Sequence, residues 1–395
     1  MKKHSKLLIA STLAASTLFI SACGGGGGGG TPPSTNVSYD AKATIDNVAD
    51  NIITKTYTDL DTAAAALLAA VQALQAGGAT EPEMDTAQAA WIAAREPWES
   101  SEGHLFGPVD SLGIDPAIDS WPLNTADLVA FMASNPDQTA IEAASDDVRG
   151  FHAIEWLLFG DGVADNEKTA AELTPGEMGY LIALAQAFKA QTGLLASSWT
   201  TDFNGAGPYA TILKTPGAGQ TFASQGAVME ELIAAMSGIA DEVANAKIAE
   251  PLGTAAPGDT SKVESQYSWN SLTDFHNNIQ SIMNVYTGKQ GYDWQTDTIS
   301  SGLNGVYAFV EKHDPALALR VLTEITDAQK AIALVKGDGI DTTTDITGTA
   351  KPFREQIKDA AGRALIQTAI DAVNTIMTTL NDDVIPLIGK TDFAG

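Results

Sequence analysis

Cysteine is nearly missing from this chain of 395 residues, whose single cysteine is Cys23. One thiol cannot form an intramolecular disulfide. Basic residues are also scarce, since 22 Lys and Arg stand against 49 Asp and Glu and give a net charge of −27. A field of that sign repels phosphate backbones, so we expect no nucleic-acid partner. We expect most of the acidic side chains to form a solvated surface that keeps the protein soluble.

Common enzyme signatures are missing as well. The chain has no Gly-x-Ser-x-Gly elbow, and the Gly-Lys-Thr at 389–391 follows Val384, where a Walker A loop needs glycine. No histidine begins a His-Glu-x-x-His zinc motif, and Trp156 after Glu155 excludes the inverted His-x-x-Glu-His motif. What remains for chemistry is His152 with Glu155, together with acidic side chains elsewhere.

Strand patterns are nearly absent, because the one β-branched run, 340–347, is short and clear alternation is rare. Helical patterns recur instead, and Thr174, Pro175 and Glu177 together form a typical helix start. The predicted helices cover 45–74, 84–105, 125–134, 139–159, 175–199, 223–249, 272–286, 298–312, 315–336, 350–362 and 364–380, with Gly/Pro-rich loops at 107–124 and 203–219. The predicted fold class is all-α, with two packed helical bundles.

The first residues carry the features of a bacterial lipoprotein signal. A basic start at 1–6 precedes an apolar stretch at 7–20 that is short for a bilayer span. The Ile-Ser-Ala-Cys sequence ending at Cys23 resembles a lipobox, which predicts a signal peptide at 1–22 and lipidation of Cys23. The next residue is Gly24, not Asp, which favours an outer-membrane location facing the periplasm. Lipid chains would then attach the protein to the membrane.

The remaining chain divides into a tether and two predicted domains. A Gly/Pro-rich tether covers 23–40. The N-terminal bundle is expected at 41–250 and the C-terminal bundle at 251–395, because a loop rich in proline and glycine interrupts the helices at 250–262.

The most informative stretch is the apolar segment 150–160, which reads as the end of a helix closed by Gly160. Residues three apart lie on the same helix face, so His152 and Glu155 can converge on one point. Burying either group unsatisfied is costly, so each needs a partner. A metal ion, a proton shuttle or a simple hydrogen bond would each satisfy the pair.

A second predicted helix, 84–105, also carries charge on an apolar face. Arg95 and Glu102 share a stripe with two tryptophans, and Glu99 lies one turn before Glu102. Pro97 should remove a hydrogen bond and bend this helix. These charges would either satisfy each other as ion pairs of Arg95 or act as metal ligands.

Two aspartates in the loop between these segments add oxygen donors. Asp119 is a further candidate ligand, and Asp115, which precedes a proline, is either site-lining or a helix cap. One imidazole with several carboxylates suits iron, manganese or zinc better than copper(I), which prefers sulfur. The residues alone therefore leave a metal site and a self-satisfied polar cluster both open.

Four stretches resemble the imelysin-like family of bacterial proteins. They are AREPWESSEGHLFGPVD at 94–110, IDPAIDSWPLN at 114–124, the Gly-x-His-x-x-Glu segment GFHAIEWLLFG at 150–160, and ESQYSWNSLTDF at 264–275 continuing to VYTG at 285–288. The resemblance implies two related helical bundles with the site near their interface. It also implies a periplasm-facing lipoprotein, a link to iron, and a disputed assignment as a metallopeptidase.

Carried over by position, the resemblance gives a set of site residues. The metal ligands it implies are His152, Glu155, Glu99 and Glu102, to which the residues above add Asp119. The site-lining residues are Arg95, Asp115, Ser268, Asn270 and Asp274. Pro97, His104 and His276 do not match the family pattern, so the two histidines are interpreted as surface or core residues.

The predicted function is therefore metal binding by an envelope lipoprotein, in iron uptake or homeostasis. The cofactor is iron first and zinc second, and iron-uptake proteins of the membrane are the expected partners. A metallopeptidase using the same site is the first alternative, although a catalytic zinc usually has more histidine ligands than His152 alone provides. A non-catalytic binding or scaffold protein is the second.

Overall fold

Helices form most of the computed structural model, which describes residues 36–163, 168–297, 302–336 and 351–394. The α-helices are Lys42–Asn47, Thr54–Ala76, Glu81–Glu99, Pro108–Ser111, Ile114–Asp119, Thr125–Met132, Gln138–Glu142, Phe151–Phe159, Pro175–Thr200, Tyr209–Lys214, Gln225–Asp241, Ala249–Leu252, Ser271–Thr287, Val306–His313, Pro315–Lys336, Phe353–Gln356 and Ala360–Thr379. Single turns of π-helix lie at Val48–Ile53, Glu242–Ile248 and Leu380–Val384, and 3₁₀ turns at Glu102–His104, Asp146–Val148, Ala170–Glu172, Thr260–Lys262 and Ile385–Lys390. The all-α prediction is confirmed.

Two short strands were not predicted. Val37–Tyr39 and Thr391–Phe393 pair in parallel, with Val37 opposite Thr391. Three residues are too few to show the alternation by which a strand is recognised in a sequence.

The helices pack in two neighbourhoods. Thr54–Ala76 packs against Glu81–Glu99 and Pro175–Thr200, whereas Pro315–Lys336 packs against Ala360–Thr379 and Ser271–Thr287. The helix Ser271–Thr287 also contacts Glu81–Glu99, and this contact brings the stretches of the predicted site together. The division into bundles at residue 250 stays a prediction.

The prediction of one continuous helix over 139–159 is wrong, because the structure interrupts the helix at two places. Gln138–Glu142 ends before a 3₁₀ turn, Asp146–Val148, and a separate helix begins at Phe151. Between them Arg149 is extended and Gly150 has φ of +81°. A Cβ on Gly150 would lie 2.4 Å from the carbonyl oxygen of Ile118. Glycine is therefore required where the new helix starts against its neighbour.

The helix predicted over 84–105 ends earlier than expected. It begins at Glu81 and stops at Glu99, two residues after Pro97, and a 3₁₀ turn then holds Glu102. Proline lacks the N–H that a continuing helix needs, so its place in the last turn is compatible with an early end. The loop predicted at 107–124 likewise contains two short helices, Pro108–Ser111 and Ile114–Asp119. The second of them carries Asp119 into the protein.

Large aromatic side chains fix the helix that carries the His/Glu pair. Trp91 is fully buried, and its Nε1 donates a hydrogen bond to the carbonyl oxygen of Phe151 at 3.0 Å. The ring of Phe151 also packs against Phe188, with ring centroids 4.4 Å apart. Residues 151–159 are thus held between two long helices.

Within the described ranges, no helix is both long enough and apolar enough to cross a bilayer. The predicted signal peptide, tether start and lipidated Cys23 lie outside the described residues.

Candidate metal centre

His152 is the centre of a buried polar cluster. Its side chain has no exposed surface, and its Nδ1 lies 2.9 Å from Oε2 of Glu155. Its Nε2 lies 3.2 Å from Oδ1 of Asp119 and 3.8 Å from Oε1 of Glu264. Neither contact of Nε2 has the geometry of a hydrogen bond. The imidazole therefore directs a nitrogen without a geometric hydrogen bond at two carboxylates. Burial opposes a charge on the ring, but Asp119, Glu155 and Glu264 together raise the pKa of His152 well above its ordinary value.

Glu155 is held by donors on both of its oxygens. Its Oε1 accepts from the backbone N–H of Tyr267 at 3.0 Å and from the N–H and hydroxyl of Ser268, each at 2.8 Å. Its Oε2 faces His152. The carboxylate thereby fixes the orientation of the imidazole and directs Nε2 toward Asp119.

Arg95 joins four carboxylates within the cluster. It forms ion pairs with Glu99 and Asp119, and its Nη2 lies 3.1 Å from Asp274 and 3.2 Å from Glu264. A guanidinium can do this because it offers five donors in a fixed plane. Burial opposes the charge, but the four carboxylates together raise the pKa of Arg95 well above its ordinary value.

Lys247 is the second fixed cation. Its Nζ lies 3.0 Å from Glu264, 3.1 Å from Glu102 and 3.7 Å from Glu99. Asn278 completes this side, because its Nδ2 donates to Oε2 of Glu99 at 2.6 Å and to Oε2 of Glu102 at 3.0 Å.

The carboxylates of the cluster are not equivalent. Burial raises the pKa of Glu99 to about 8 and that of Glu102 well above its ordinary value, despite the attraction of Lys247. Burial also disfavours the charged form of Asp119, but Arg95 and His152 more than offset it and hold the pKa of Asp119 well below its usual range. The pKa of Glu264 is lowered to about 2, because Lys247 and His152 outweigh burial. The two acids nearest Nε2, Asp119 and Glu264, are thus those whose pKa is lowered.

Two overlapping groups of side chains can hold a cation. The ligand atoms of Asp119, His152 and Glu264 lie within 4.8 Å of one another, and so do those of Glu99, Glu102 and Asp119. The first group combines one imidazole nitrogen with carboxylate oxygens, a donor set that iron and zinc accept. The unbonded Nε2 of His152 is the observation that fits a metal ion to this group.

An aromatic wall borders the imidazole. The ring of Trp121 lies 4.7 Å from that of His152, and the ring of Tyr267 lies 6.0 Å from Trp121. The Nε1 of Trp121 donates to the carbonyl oxygen of Lys262 at 3.1 Å. Trp121 is partly exposed, so it separates His152 from solvent.

The structure brings most of the predicted site residues together. His152, Asp119, Glu99 and Glu102 belong to the two groups, while Glu155 belongs to neither and contacts His152. Ser268 bonds Glu155, and Asn270 bonds Asp274, which in turn pairs with Arg95. Asp115 lies in the first turn of Ile114–Asp119 and is in neither group of described residues.

Two residues with central positions were not predicted as site residues. Glu264 opens the stretch that resembles the imelysin-like family, yet nothing in its spacing marks it. Lys247 follows an alanine-rich segment and is only 9% exposed. Lys247 lies on the same helix as apolar residues such as Val243 and Ile248. That sequence context could have indicated a buried lysine.

The other histidines of the described chain lie apart from the cluster. His104 is fully buried, with its Nδ1 3.3 Å from the hydroxyl of Tyr57, and burial lowers its pKa to about 3. His276 lines a cavity on the outer side of the helix Ser271–Thr287. His313 bonds Thr391 near the strand pair. The interpretation of His104 as a core residue agrees with this position.

Fold and site together define an all-helical protein with a buried imidazole–carboxylate cluster joined by one arginine and one lysine. The chain belongs to the imelysin family, because the family model for imelysin (Peptidase_M75) matches residues 53–380. It is 27% identical, over 345 residues, to iron-regulated protein A of Synechococcus elongatus, an alignment that covers 87% of this chain and 86% of the relative.

Solved structures agree with this assignment. A protein of Parabacteroides distasonis described as an iron-regulated protein A precursor has a TM-score of 0.74 and 26% identity, covering 89% of this chain and 94% of that one. An imelysin-like protein of Psychrobacter arcticum has a TM-score of 0.61 and 15% identity, covering 90% of this chain and 98% of that one, and shows the shared fold.

Proposed function

We propose that this protein is a lipid-anchored protein of the bacterial envelope that binds one iron ion through Asp119, His152 and Glu264. The observation that carries this proposal is the unbonded Nε2 of His152, which lies 3.2 Å and 3.8 Å from the two carboxylates. The bound ion would serve iron uptake or homeostasis.

The charge of the cluster supports a cation at this position. Glu99, Glu102, Asp119, Glu155, Glu264 and Asp274 surround two fixed cations, Arg95 and Lys247, together with His152, whose pKa the carboxylates raise against the opposing effect of burial. Buried negative charge is costly unless it is paired or bound to a metal. A divalent or ferric ion beside His152 would take the place of the proton on Nε2 and pair with the carboxylates of Asp119 and Glu264.

The donor set and the relatives together favour iron. A nitrogen ligand with carboxylate oxygens suits iron or zinc, and it does not suit copper(I). The relatives from Synechococcus elongatus and Parabacteroides distasonis are named as iron-regulated, which links their production to iron. Glu155 takes the role of orienting His152, whereas Glu99 and Glu102 form the second group of ligand atoms with Asp119.

The location in the envelope follows from the first 40 residues. The basic start, the apolar stretch and the Ile-Ser-Ala-Cys sequence support a lipid anchor on Cys23. The Gly/Pro-rich segment after it would let the helical part reach iron carriers or transporters of the membrane.

Metal binding by two matched variants tests the function. The full chain in detergent is dialysed against Fe²⁺ without oxygen, and against Zn²⁺, and the bound metal is counted. We expect one ion per chain, with affinity at least tenfold lower in Asp119→Asn. The control Asp115→Asn changes an aspartate one turn away on the same short helix and should keep wild-type affinity. No saturable binding, or equal effects of the two variants, would overturn the proposal.

A further inference from the structure

Lys247 occupies a position that resembles a cation site. Its Nζ lies among Glu99, Glu102 and Glu264, at 3.7, 3.1 and 3.0 Å. Its side chain is 8% exposed, so the ammonium group is solvated by these carboxylates and hardly by water. Two of these three glutamates belong to the second group of ligand atoms that can hold a metal ion, which also includes Asp119.

The amide that contacts two of these carboxylates also carries an oxygen without a hydrogen bond. Asn278 is fully buried, and its Nδ2 donates to Glu99 and Glu102. Its Oδ1 has no hydrogen-bond partner within the described ranges. Rotation of this amide by half a turn would exchange the two atoms and present Oδ1 to the carboxylates. An oxygen-rich cation site, of the type that hard divalent ions prefer, would result.

The backbone that delivers Lys247 is itself unusual. Residues Glu242–Ile248 form a turn of π-helix at the end of Gln225–Asp241. Such turns are rare, and they are often found at functional sites. Within this turn Lys247 is buried, whereas Asn245 and Ala246 are exposed.

We propose that the ammonium of Lys247 is a built-in cation that fills a second metal position beside Glu99 and Glu102, so that the protein holds one metal ion. The position near His152 remains for the metal, because Nε2 of the imidazole is unbonded there. This inference rests on the proposed function, since it requires that Asp119, His152 and Glu264 take the first ion.

Lys247→Met tests the inference, because methionine fills much of the same volume without the charge. Fe²⁺ without oxygen is the probe, and bound iron is counted by equilibrium dialysis of the full chain in detergent. We expect one ion in the wild type and two in Lys247→Met. The double variant Lys247→Met with Glu102→Gln should return to one ion, because it lacks a ligand of the second position.

The control is Lys262→Met, which removes a lysine that is about half exposed and lies 3.6 Å from Glu250. It should bind one ion, as the wild type does. If Lys247→Met folds only when iron is present during refolding, and then contains two ions, the inference is supported. If it binds one ion with wild-type affinity, or does not fold even with iron, the inference is wrong. A wild type that binds no iron would instead refute the proposed function.

Discussion

Gly150 approaches the carbonyl oxygen of Ile118 so closely that a Cβ at Gly150 would lie 2.4 Å from it. This contact joins the helix that begins at Phe151 to the helix that ends at Asp119. The glycine of the Gly-x-His-x-x-Glu motif therefore sets the distance between His152 and Asp119.

Gly150→Ala should consequently weaken both stability and metal binding. The combination of φ of +81° with ψ of −162° is nearly restricted to glycine and costs alanine about 1–3 kcal/mol, and the clash with Ile118 adds to it. We expect the free energy of unfolding in denaturant to fall by more than about 2 kcal/mol. The control is Gly160→Ala, because Gly160 has a similar φ of +80° and a Cβ there would contact only Lys168, at 3.7 Å. Equal losses in the two variants would refute a special role for the contact with Ile118.

Glu155→Gln should lower metal affinity about tenfold or more, as changes behind a histidine ligand commonly do. The three donors from Tyr267 and Ser268 hold an oxygen at the Oε1 position. The new amide NH₂ must then face Nδ1 of His152, which forces the proton onto Nε2 and blocks that ligand. Calorimetric titration with Zn²⁺ measures the change. Ser268→Ala, which removes only one of the three donors, should have a much smaller effect.

The same variant also tests the metallopeptidase alternative. Both oxygens of Glu155 already accept hydrogen bonds or face His152, so we expect no activation of a water molecule by this carboxylate. Incubation of the metal-loaded protein with a denatured protein substrate should give no cleavage. Hydrolysis that disappears with a chelator and in Glu155→Gln would establish the peptidase instead.

Arg95→Met should be among the most damaging single substitutions in the chain. It leaves Glu99, Asp119 and Asp274 without their shared cation in a dry interior, and breaking a buried pair typically costs about 3–5 kcal/mol. Arg320→Met is the control, because Arg320 is half exposed and its pairing with Asp383 should contribute less than about 1 kcal/mol. Thermal and denaturant unfolding would compare them. If the two variants lost similar amounts of unfolding free energy, the carboxylates of the cluster would not need Arg95 for stability, and the prediction would be wrong.

His104 should make the protein less stable in mild acid. Its pKa is lowered by burial to about 3 in the folded chain, against 6.5 for the ordinary side chain, so the unfolded state binds the additional proton. The free energy of unfolding is therefore not reduced by this group above pH 6.5. It falls as the pH decreases from 6.5 toward 3, by up to about 1.4 kcal/mol per pH unit. His104→Phe should flatten stability between these values. An unchanged pH profile in that variant would contradict this account.

The all-α class and much of the cluster could be predicted from the sequence, because both depend on local patterns. His152 and Glu155 are three residues apart, and the charged stripe with Arg95 and Glu99 follows helical periodicity. Pro315–Lys336 was predicted with its observed bounds, since Asp314 and Pro315 mark its start.

The missed features depend on contacts between distant segments. Glu264 and Lys247 reach the cluster from elements other than those that carry His152 and Arg95, and Lys247 lies in a π-helical turn, which has no simple sequence pattern. The separate helix at Phe151 depends on the approach of Gly150 to Ile118, which only the folded chain reveals.

The strand pair between Val37–Tyr39 and Thr391–Phe393 has a mechanical consequence. Strands in a sheet lie about 4.8 Å apart, so the first and last described segments are neighbours and run in the same direction. A force applied to Val37–Tyr39 would therefore be shared by Thr391–Phe393 through the hydrogen bonds of the pair. A label or immobilisation tag fused after residue 394 would begin beside Tyr39, whose carbonyl oxygen accepts a hydrogen bond from the N–H of Ala394 at 3.1 Å.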